Sequence, residues 1–407
     1  MSDYFKILRE GKYYFRKVFQ QNKTTRVRYI GSPLENAELA RSEYENGKTV
    51  LESLPPVVTF ALTTFCNNKI PCLICDRNTR AKASDSETRG MVIEAVRPLL
   101  QTAKIVLLHC GGEAMLSRHF DEVIRSINPP TRVAFATNAM LLTNKRADLM
   151  LEKDIMSKFV VSLDASTPEA YHFMRPSSDF DTVVSNIEYY TSKARKLKRE
   201  ASGVSLNMTV CEANLKDVPT LVDLAVRVGA TEVDYNHLNG GLDHRVKTVD
   251  GWEWDYKEQA KFKDKKFHDE MVLEAYKRAK QHGINMTFVG KPFLGPDADK
   301  NKAIVEELCG RVAFQTNPWS SKKHKVFAPG VPPCFKPWQE TVIQPSGNVR
   351  ICYFHEELRH KAGNILTTDF MELWNSDLMV KQREEFLAHA VSGICKKSQP
   401  CMHRHRQ

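Results

Sequence analysis

From residue 57 onward, apolar β-branched runs alternate with helical patterns, and this alternation limits the chain to few folds. Strand-like runs are Val57–Thr64, Lys104–His109, Arg132–Thr137, Lys158–Leu163, Val204–Val210 and Glu232–Asn236, with a seventh at Ile284–Val289. Amphipathic stretches lie between them. Leu215–Val228 places Val218, Leu221, Val222 and Ala225 on one face and stops at Gly229; Phe267–His282 stops at Gly283. Strand–helix alternation at this spacing implies parallel strands joined by right-handed crossovers, as a doubly wound sheet or a barrel, full or partial.

The placement of unusual residues selects the barrel. A three-cysteine stretch follows the first strand, Cys110-Gly111-Gly112-Glu113 the second, and Thr137-Asn138 ends the third. Ser162-Leu163-Asp164 ends the fourth, Cys211 the fifth and Asn236-His237 the sixth. In a parallel barrel the carboxyl ends of all strands share one mouth. The expected fold is α/β: a partial parallel (β/α)6 TIM-like barrel with a small C-terminal cysteine-rich α+β domain. The expected organisation is an N-terminal extension over 1–55, the barrel over 56–290, a Pro-rich connector over 291–333 and the cysteine-rich domain over 334–407. A helix is expected through Leu34–Leu51, before the Pro55-Pro56 boundary.

The 407 residues are 42% hydrophobic and 27% charged, which suits a large folded core and excludes wholesale disorder. No apolar run approaches the ~18–20 residues of a membrane span, and the first residues do not read as a signal peptide, so a cytoplasmic protein is expected. The net charge of +10 is diffuse. Its short basic clusters, Lys193–Arg199 and Lys261–Lys266, read as solvated faces, so nucleic acid is not expected as a partner.

Ten cysteines in such a chain point to metal or catalytic roles. Cys66, Cys72 and Cys75 are spaced C-x5-C-x2-C, with no fourth cysteine or histidine close by. A structural zinc site needs four protein ligands, whereas three thiolates on a loop favour an iron–sulfur cluster with one open iron; zinc stays the alternative. Cys334, Cys352, Cys395 and Cys401 form a second set. Cys110 and Cys211, both at strand ends, could return a hydrogen atom to a substrate radical, or simply be buried small residues.

These motifs together resemble the radical S-adenosylmethionine (radical SAM) superfamily with a SPASM or twitch-like C-terminal domain. The resemblance implies a catalytic [4Fe–4S] cluster on Cys66, Cys72 and Cys75, with the fourth iron binding S-adenosylmethionine. Reductive cleavage would give a 5′-deoxyadenosyl radical that abstracts a substrate hydrogen. The usual spacing in that family is C-x3-C-x2-C; here the first gap is longer. Gly111, Gly112 and Glu113 resemble its GGE segment, which receives the cofactor's ammonium group. Thr137-Asn138 resembles its Thr-Asn-Gly, with Ala139 in place of glycine, and Ser162-Leu163-Asp164-Ala165 its Ser-Leu-Asp-Gly. By resemblance Asn138 belongs to the cofactor site, Ser162 and Arg175 would contact ribose or carboxylate, and Ile74 would pack beside adenine. Cys334, Cys352, Cys395 and Cys401 would hold an auxiliary [4Fe–4S] cluster, with His403 or His405 as possible substitutes. The implied activity is oxidation or epimerisation of a small polar substrate such as a sugar or aminocyclitol, with flavodoxin or ferredoxin as reductant. Alternatives are a peptide maturase, a tRNA-modifying enzyme and a non-enzymatic zinc protein.

Overall fold

The computed structural model describes residues 31–78, 85–109, 111–199, 202–238, 245–248, 251–309, 334–350, 352 and 361–388. Cys110, Cys395, Cys401, His403 and His405 lie outside them. Among the described residues the strands are β1 (Val57–Phe60), β2 (Ile105–Leu107), β3 (Arg132–Thr137), β4 (Met156–Ser162), β5 (Val204–Val210), β6 (Glu232–His237), β7 (Arg245–Lys247), β8 (Glu253–Asp255), β9 (Asn285–Val289), β10 (Glu340–Ile343), β11 (Asn348–Arg350) and β12 (Lys361–Asn364). The chain divides into two compact units: Phe60–Thr88 with Leu107–Lys323, and Met1–Thr59 with Arg89–Val106 and His324–Gln407.

In the first unit β3, β4, β5, β6 and β9 are neighbours in chain order, and every pairing is parallel. Order without reversal is the order of a barrel wall; a doubly wound sheet would switch direction part-way. The strand faces divide as period-2 geometry requires. Phe135, Phe159, Val161, Leu206, Met208, Val233 and Tyr235 point to the helix-covered side and are buried. There Phe120, Phe135, Phe159 and Tyr190 meet edge-to-face or tilted in a chain with centroids 5.0–5.5 Å apart, and the Tyr235 hydroxyl donates to Val218 O in helix Asp217–Val228 (2.7 Å). Helices Asp217–Val228 and Lys265–His282 end where the sequence predicts, at Gly229 (φ +71°) and Gly283 (φ +68°), left-handed positions that glycine occupies without a Cβ penalty.

Several element ends shift by one or two residues from expectation, and two shift by more. β1 stops at Phe60, because the following backbone pairs instead with Ser86–Thr88: Thr64 N donates to Ser86 O and Thr88 N to Leu62 O, each at 2.9 Å. The N-terminal helix runs Pro33–Glu45, opened by a Ser32–Glu35 capping box, and ends well before Leu51. Gly47 (φ +66°) turns the chain there.

The second unit shows why the chain leaves that helix early. Trp338, fully buried, donates its Nε1–H to Lys48 O (2.6 Å). Asn375 exchanges two 2.8 Å hydrogen bonds with the Leu51 backbone. Arg383, also fully buried, donates to Thr49 O (2.8 Å), Pro337 O (2.9 Å) and Trp374 O (2.8 Å), with its guanidinium 4.8 Å from the Trp374 ring centre. Burial pulls its pKa down to about 9, against the opposing charge of Glu43. Residues 46–51 must therefore be non-helical to offer their carbonyls. The sheet order in this unit is β12-β11-β10-β1-β2, with β10–β11 and β11–β12 antiparallel. The predicted turn at Pro345–Asn348 forms, with Gly347 at φ +85°.

Candidate cluster and cofactor site

The three-cysteine loop is held from both sides within the first unit. Leu73 N donates to Met174 O (3.0 Å), and Ile70 N to the Ser177 hydroxyl (2.8 Å). A turn brings Cys75 N to Cys72 O (2.9 Å), and the Asn78 side chain ties the carbonyls of Cys72 (2.9 Å) and Cys75 (3.0 Å). Downstream, Arg77 pairs with both Asp85 oxygens (3.0 and 2.6 Å) and donates to Thr64 O. Cys72 is buried, while Cys66 and Cys75 are half-buried.

The thiols perturb one another. Burial pushes Cys75 up to about 12, with the neighbouring Cys72, Asp76 and Cys66 adding to the shift. Cys66 is also raised, first by burial. Cys66 and Cys75 in this setting hold their protons until a metal displaces them. Cys72 has the environment of a thiolate ligand: Asn68 Nδ2 lies 3.1 Å and Arg175 Nη1 3.4 Å from its sulfur. Among the described residues no three Cys, His, Asp or Glu side chains converge tightly enough for a single ion. Three cysteines on one loop suit an iron–sulfur cluster with one open iron better than a structural zinc, which needs four protein ligands.

Gly112 lets two strand ends meet. A Cβ there would lie 2.4 Å from Phe65 O and 2.6 Å from Thr64 C, both backbone; the approach brings Glu113 N to Phe65 O at 2.8 Å. The Glu113 carboxylate, buried, accepts from Thr137 Oγ1 (2.7 Å), Asn138 N (2.8 Å) and Met115 N (3.1 Å). Burial raises its pKa against these hydrogen bonds. Its oxygens thus lock the end of β3 to the Gly111–Glu113 segment. Asn138 reaches on to Asn67 Oδ1 (2.7 Å), and Ala139 sits left-handed at φ +58°, the conformation a glycine would adopt freely.

Arg175 is committed within the protein. It is 6% exposed, donates from Nε to Leu163 O (3.1 Å), and pairs through Nη2 with Asp164, which is fully buried. Burial works against the guanidinium charge, but Asp164 and then Cys72 hold its pKa above the ordinary value. Asp164 also accepts from Thr209 N (2.8 Å). Sequence reasoning missed Asp164, Asn68 and Ser178 as parts of this site; Asp164 lies inside a motif already singled out, whereas the other two carry no local signal.

The inner strand face, opposite the helices, is polar. Ser162, Asn207, Asp234 and Thr287 are lateral partners across β4, β5, β6 and β9. Ser205 Oγ donates to Asp234 (2.6 Å), Thr287 Oγ1 bonds it too, and Asn207 Nδ2 meets Asn236 Oδ1 (3.3 Å). Ser162, Asn207 and Asn236 are half-buried, and the Ser162 hydroxyl has no partner among the described residues. Cys211 is different. It is fully buried among Leu73, Met174, Leu238, Trp254 and Tyr256, and caps the turn Glu212–Asn214. Ile74 and Phe173 pack on the same cluster, and Trp252, 43% exposed, stands 5.2 Å from Phe173.

His237 turns outward from Asn236. Its Nε2 is 2.8 Å from His268 Nε2, and His268 Nδ1 is 2.9 Å from Asp269. Burial, then the proximity of His268, lowers His237 to about 4. The folded pKa lies below the unfolded one, so stability is complete above about pH 6.5 and lost as pH falls towards 4, by up to about 3 kcal/mol. Melting temperature should drop between pH 7 and pH 5, and His237→Phe should flatten that drop; an equal drop in the variant would place the pH dependence elsewhere.

In the second unit Cys334 is half-buried and Cys352 buried. Burial lowers the Lys336 pKa, but Glu340, which it pairs with, and the sulfurs of Cys352 and Cys334 outweigh it and raise the value overall.

Family comparison decides what this arrangement is. Residues 60–225 match the model of the radical SAM superfamily, and residues 334–402 match SPASM, an iron–sulfur cluster-binding domain. Residues 60–225 are thus a radical SAM domain. A probable GTP 3′,8-cyclase of Methanocella arvoryzae is 29% identical over 129 residues, 31% of this chain and 41% of that protein. Its counterpart in Archaeoglobus fulgidus is 25% identical over 128 residues, 31% of this chain and 42% of that protein. The chain thus spans about two fifths of these relatives' lengths. Streptococcus suis SuiB bound to precursor peptide SuiA has the same fold, with TM-score 0.55, 14% identity and coverage of 93% of this chain and 78% of that one. Native anSMEcpe with bound AdoMet and Cp18Cys peptide gives TM-score 0.50 at 17% identity, covering 85% and 87%. The α/β fold is therefore that of a radical SAM partial barrel followed by a C-terminal domain of sheet and helices. The cofactors of a chain built from these domains are a [4Fe–4S] cluster, S-adenosylmethionine and an auxiliary cluster. No helix among the described residues is long and apolar enough to cross a membrane.

Proposed function

We propose that the chain is a radical SAM enzyme that oxidises a small, hydroxyl-bearing substrate, with Cys66, Cys72 and Cys75 holding the catalytic cluster. The bound cofactors supply a carbon radical able to take a hydrogen atom from an unactivated C–H bond. The observation that carries the substrate class is the polar inner wall, Ser162, Asn207, Asp234 and Asn236, on the strand face opposite the helices. Amides and hydroxyls at fixed spacing hold a polyol in one orientation, and a wall built to bond hydroxyls rejects analogues lacking them. Asp164 orients Arg175 on the cluster loop, and Gly112 and Glu113 bind the second strand end to the first. The backbone carbonyls of Gly111 and Gly112 would then offer the ammonium group of the cofactor its partners. Cys334 and Cys352, with Cys395 and Cys401, would hold the auxiliary cluster. The burial of Cys211 favours oxidation over epimerisation as far as that candidate goes, because a hydrogen donor must reach the substrate; Cys110, the other candidate, lies outside the described residues.

A peptide substrate is the second reading, favoured by the fold shared with SuiB and anSMEcpe, both solved with peptides. The test is anaerobic reconstitution of the full chain, followed by turnover with cyclitols and amino sugars deuterated at their carbinol carbons. Deuterium should appear in 5′-deoxyadenosine, and no solvent deuterium in the product. Label arriving only from a deuterated peptide would replace the small-molecule reading, and solvent deuterium in the product would replace oxidation by epimerisation.

A further inference from the structure

The first gap of the cysteine loop, Asn67 to Pro71, is longer than the spacing usual for such loops, and its residues are not spare length. Asn67 accepts from Asn138 (2.7 Å), and Ile70 N donates to Ser177 (2.8 Å). Asn68, only 4% exposed, directs its amide at the Cys72 sulfur (3.1 Å) while its oxygen accepts from Ser178 Oγ (2.9 Å). A thiolate can only accept, so the NH₂ end must face sulfur, which leaves the amide oxygen to accept from the Ser178 hydroxyl. From another direction Arg175 Nη1 reaches the same sulfur (3.4 Å).

We propose that Asn68 is a positioning residue of the catalytic cluster: together with Arg175 it donates to the Cys72 sulfur, and this pair raises the reduction potential of iron held there. The proposal rests on the assignment of Cys72 as a cluster ligand. Hydrogen bonds to ligand sulfurs withdraw electron density and favour the more negative, reduced state. One sulfur of the three receives two side-chain donors, both buried, so solvent cannot replace either. The longer gap then has a purpose: it carries a donor that side-chain contacts from Ser178 can aim.

The test is an EPR-monitored redox titration of the anaerobically reconstituted full chain, following the reduced-cluster signal that changes on adding S-adenosylmethionine. Asn68→Leu keeps the shape but removes the donor. It should shift the one-electron equilibrium about tenfold towards the oxidised form, ~59 mV lower. Ser178→Ala, which leaves Asn68 in place but unaimed, should shift it in the same direction by less. Asn68→Leu with full iron and wild-type potential overturns the proposal. Should Asn68→Leu not take up iron, Ser178→Ala decides: a lower potential supports the proposal and an unchanged one overturns it. A wild-type chain with no signal responsive to S-adenosylmethionine overturns the cluster assignment itself.

Discussion

Replacing Cys72 with alanine is expected to lower the iron content of the reconstituted chain from about eight to about four per molecule, since each [4Fe–4S] cluster carries about four irons. Cleavage of S-adenosylmethionine should cease. Cys66→Ala and Cys75→Ala should behave alike, because three ligands are the minimum that leaves one iron open and still retains the cluster. Cys72→Ala should have a further effect on the apo-protein. Its sulfur accepts from Asn68 and Arg175, both buried, and each loses a partner that water cannot replace. That leaves an added cost of about 1–3 kcal/mol per orphaned donor, which chemical denaturation would show as a lower midpoint than in Cys75→Ala. Cys211→Ala is the control: its sulfur caps a turn inside an apolar cluster, and iron content should not change. Persistence of cleavage in all three loop variants would remove the site assignment.

Asp164→Ala is the second large effect. Asp164 is fully buried, pairs with Arg175 and accepts from Thr209 N at 2.8 Å. Removing it strands a guanidinium that is 6% exposed. Breaking a buried pair from one side costs about 3–5 kcal/mol, most of it the uncompensated charge. The backbone adds to this, since Asp164 is left-handed at φ +63°, a conformation Asp tolerates better than Ala. Denaturant titration of the apo-protein should show the loss directly, and iron uptake at the cysteine loop should fall with it, because Arg175 then has no fixed place beside Cys72. A loss below about 1 kcal/mol would mean that the pair does not hold this loop.

Strand positions came through in the sequence almost unaltered. Arg132–Thr137 and Val204–Val210 were legible to the residue because apolar covered positions alternate there with small or polar inner ones at the period of a strand. Helix stops at Gly229 and Gly283 were legible because only glycine takes that turn without cost. Less legible was anything decided by a distant partner. The end of the N-terminal helix depends on carbonyls wanted by Trp338, Asn375 and Arg383, roughly three hundred residues away in the chain. No local propensity encodes that demand.

The site divides along the same line. Its candidate ligand set, three cysteines after the first strand and Gly-Gly-Glu after the second, was readable in the sequence alone, because thiolate count and glycine placement are chemical requirements that survive any packing. What each polar neighbour does was settled only in three dimensions. Arg175, expected at the cofactor, is spent on Asp164, Leu163 O and the Cys72 sulfur. Glu113, expected to receive an ammonium group, has its oxygens filled by Thr137, Asn138 and Met115. A buried charge must find its counter-charge and its hydrogen bonds wherever the fold supplies them, and that choice is made by distances between strand ends. Spacing along the chain contains no such distances.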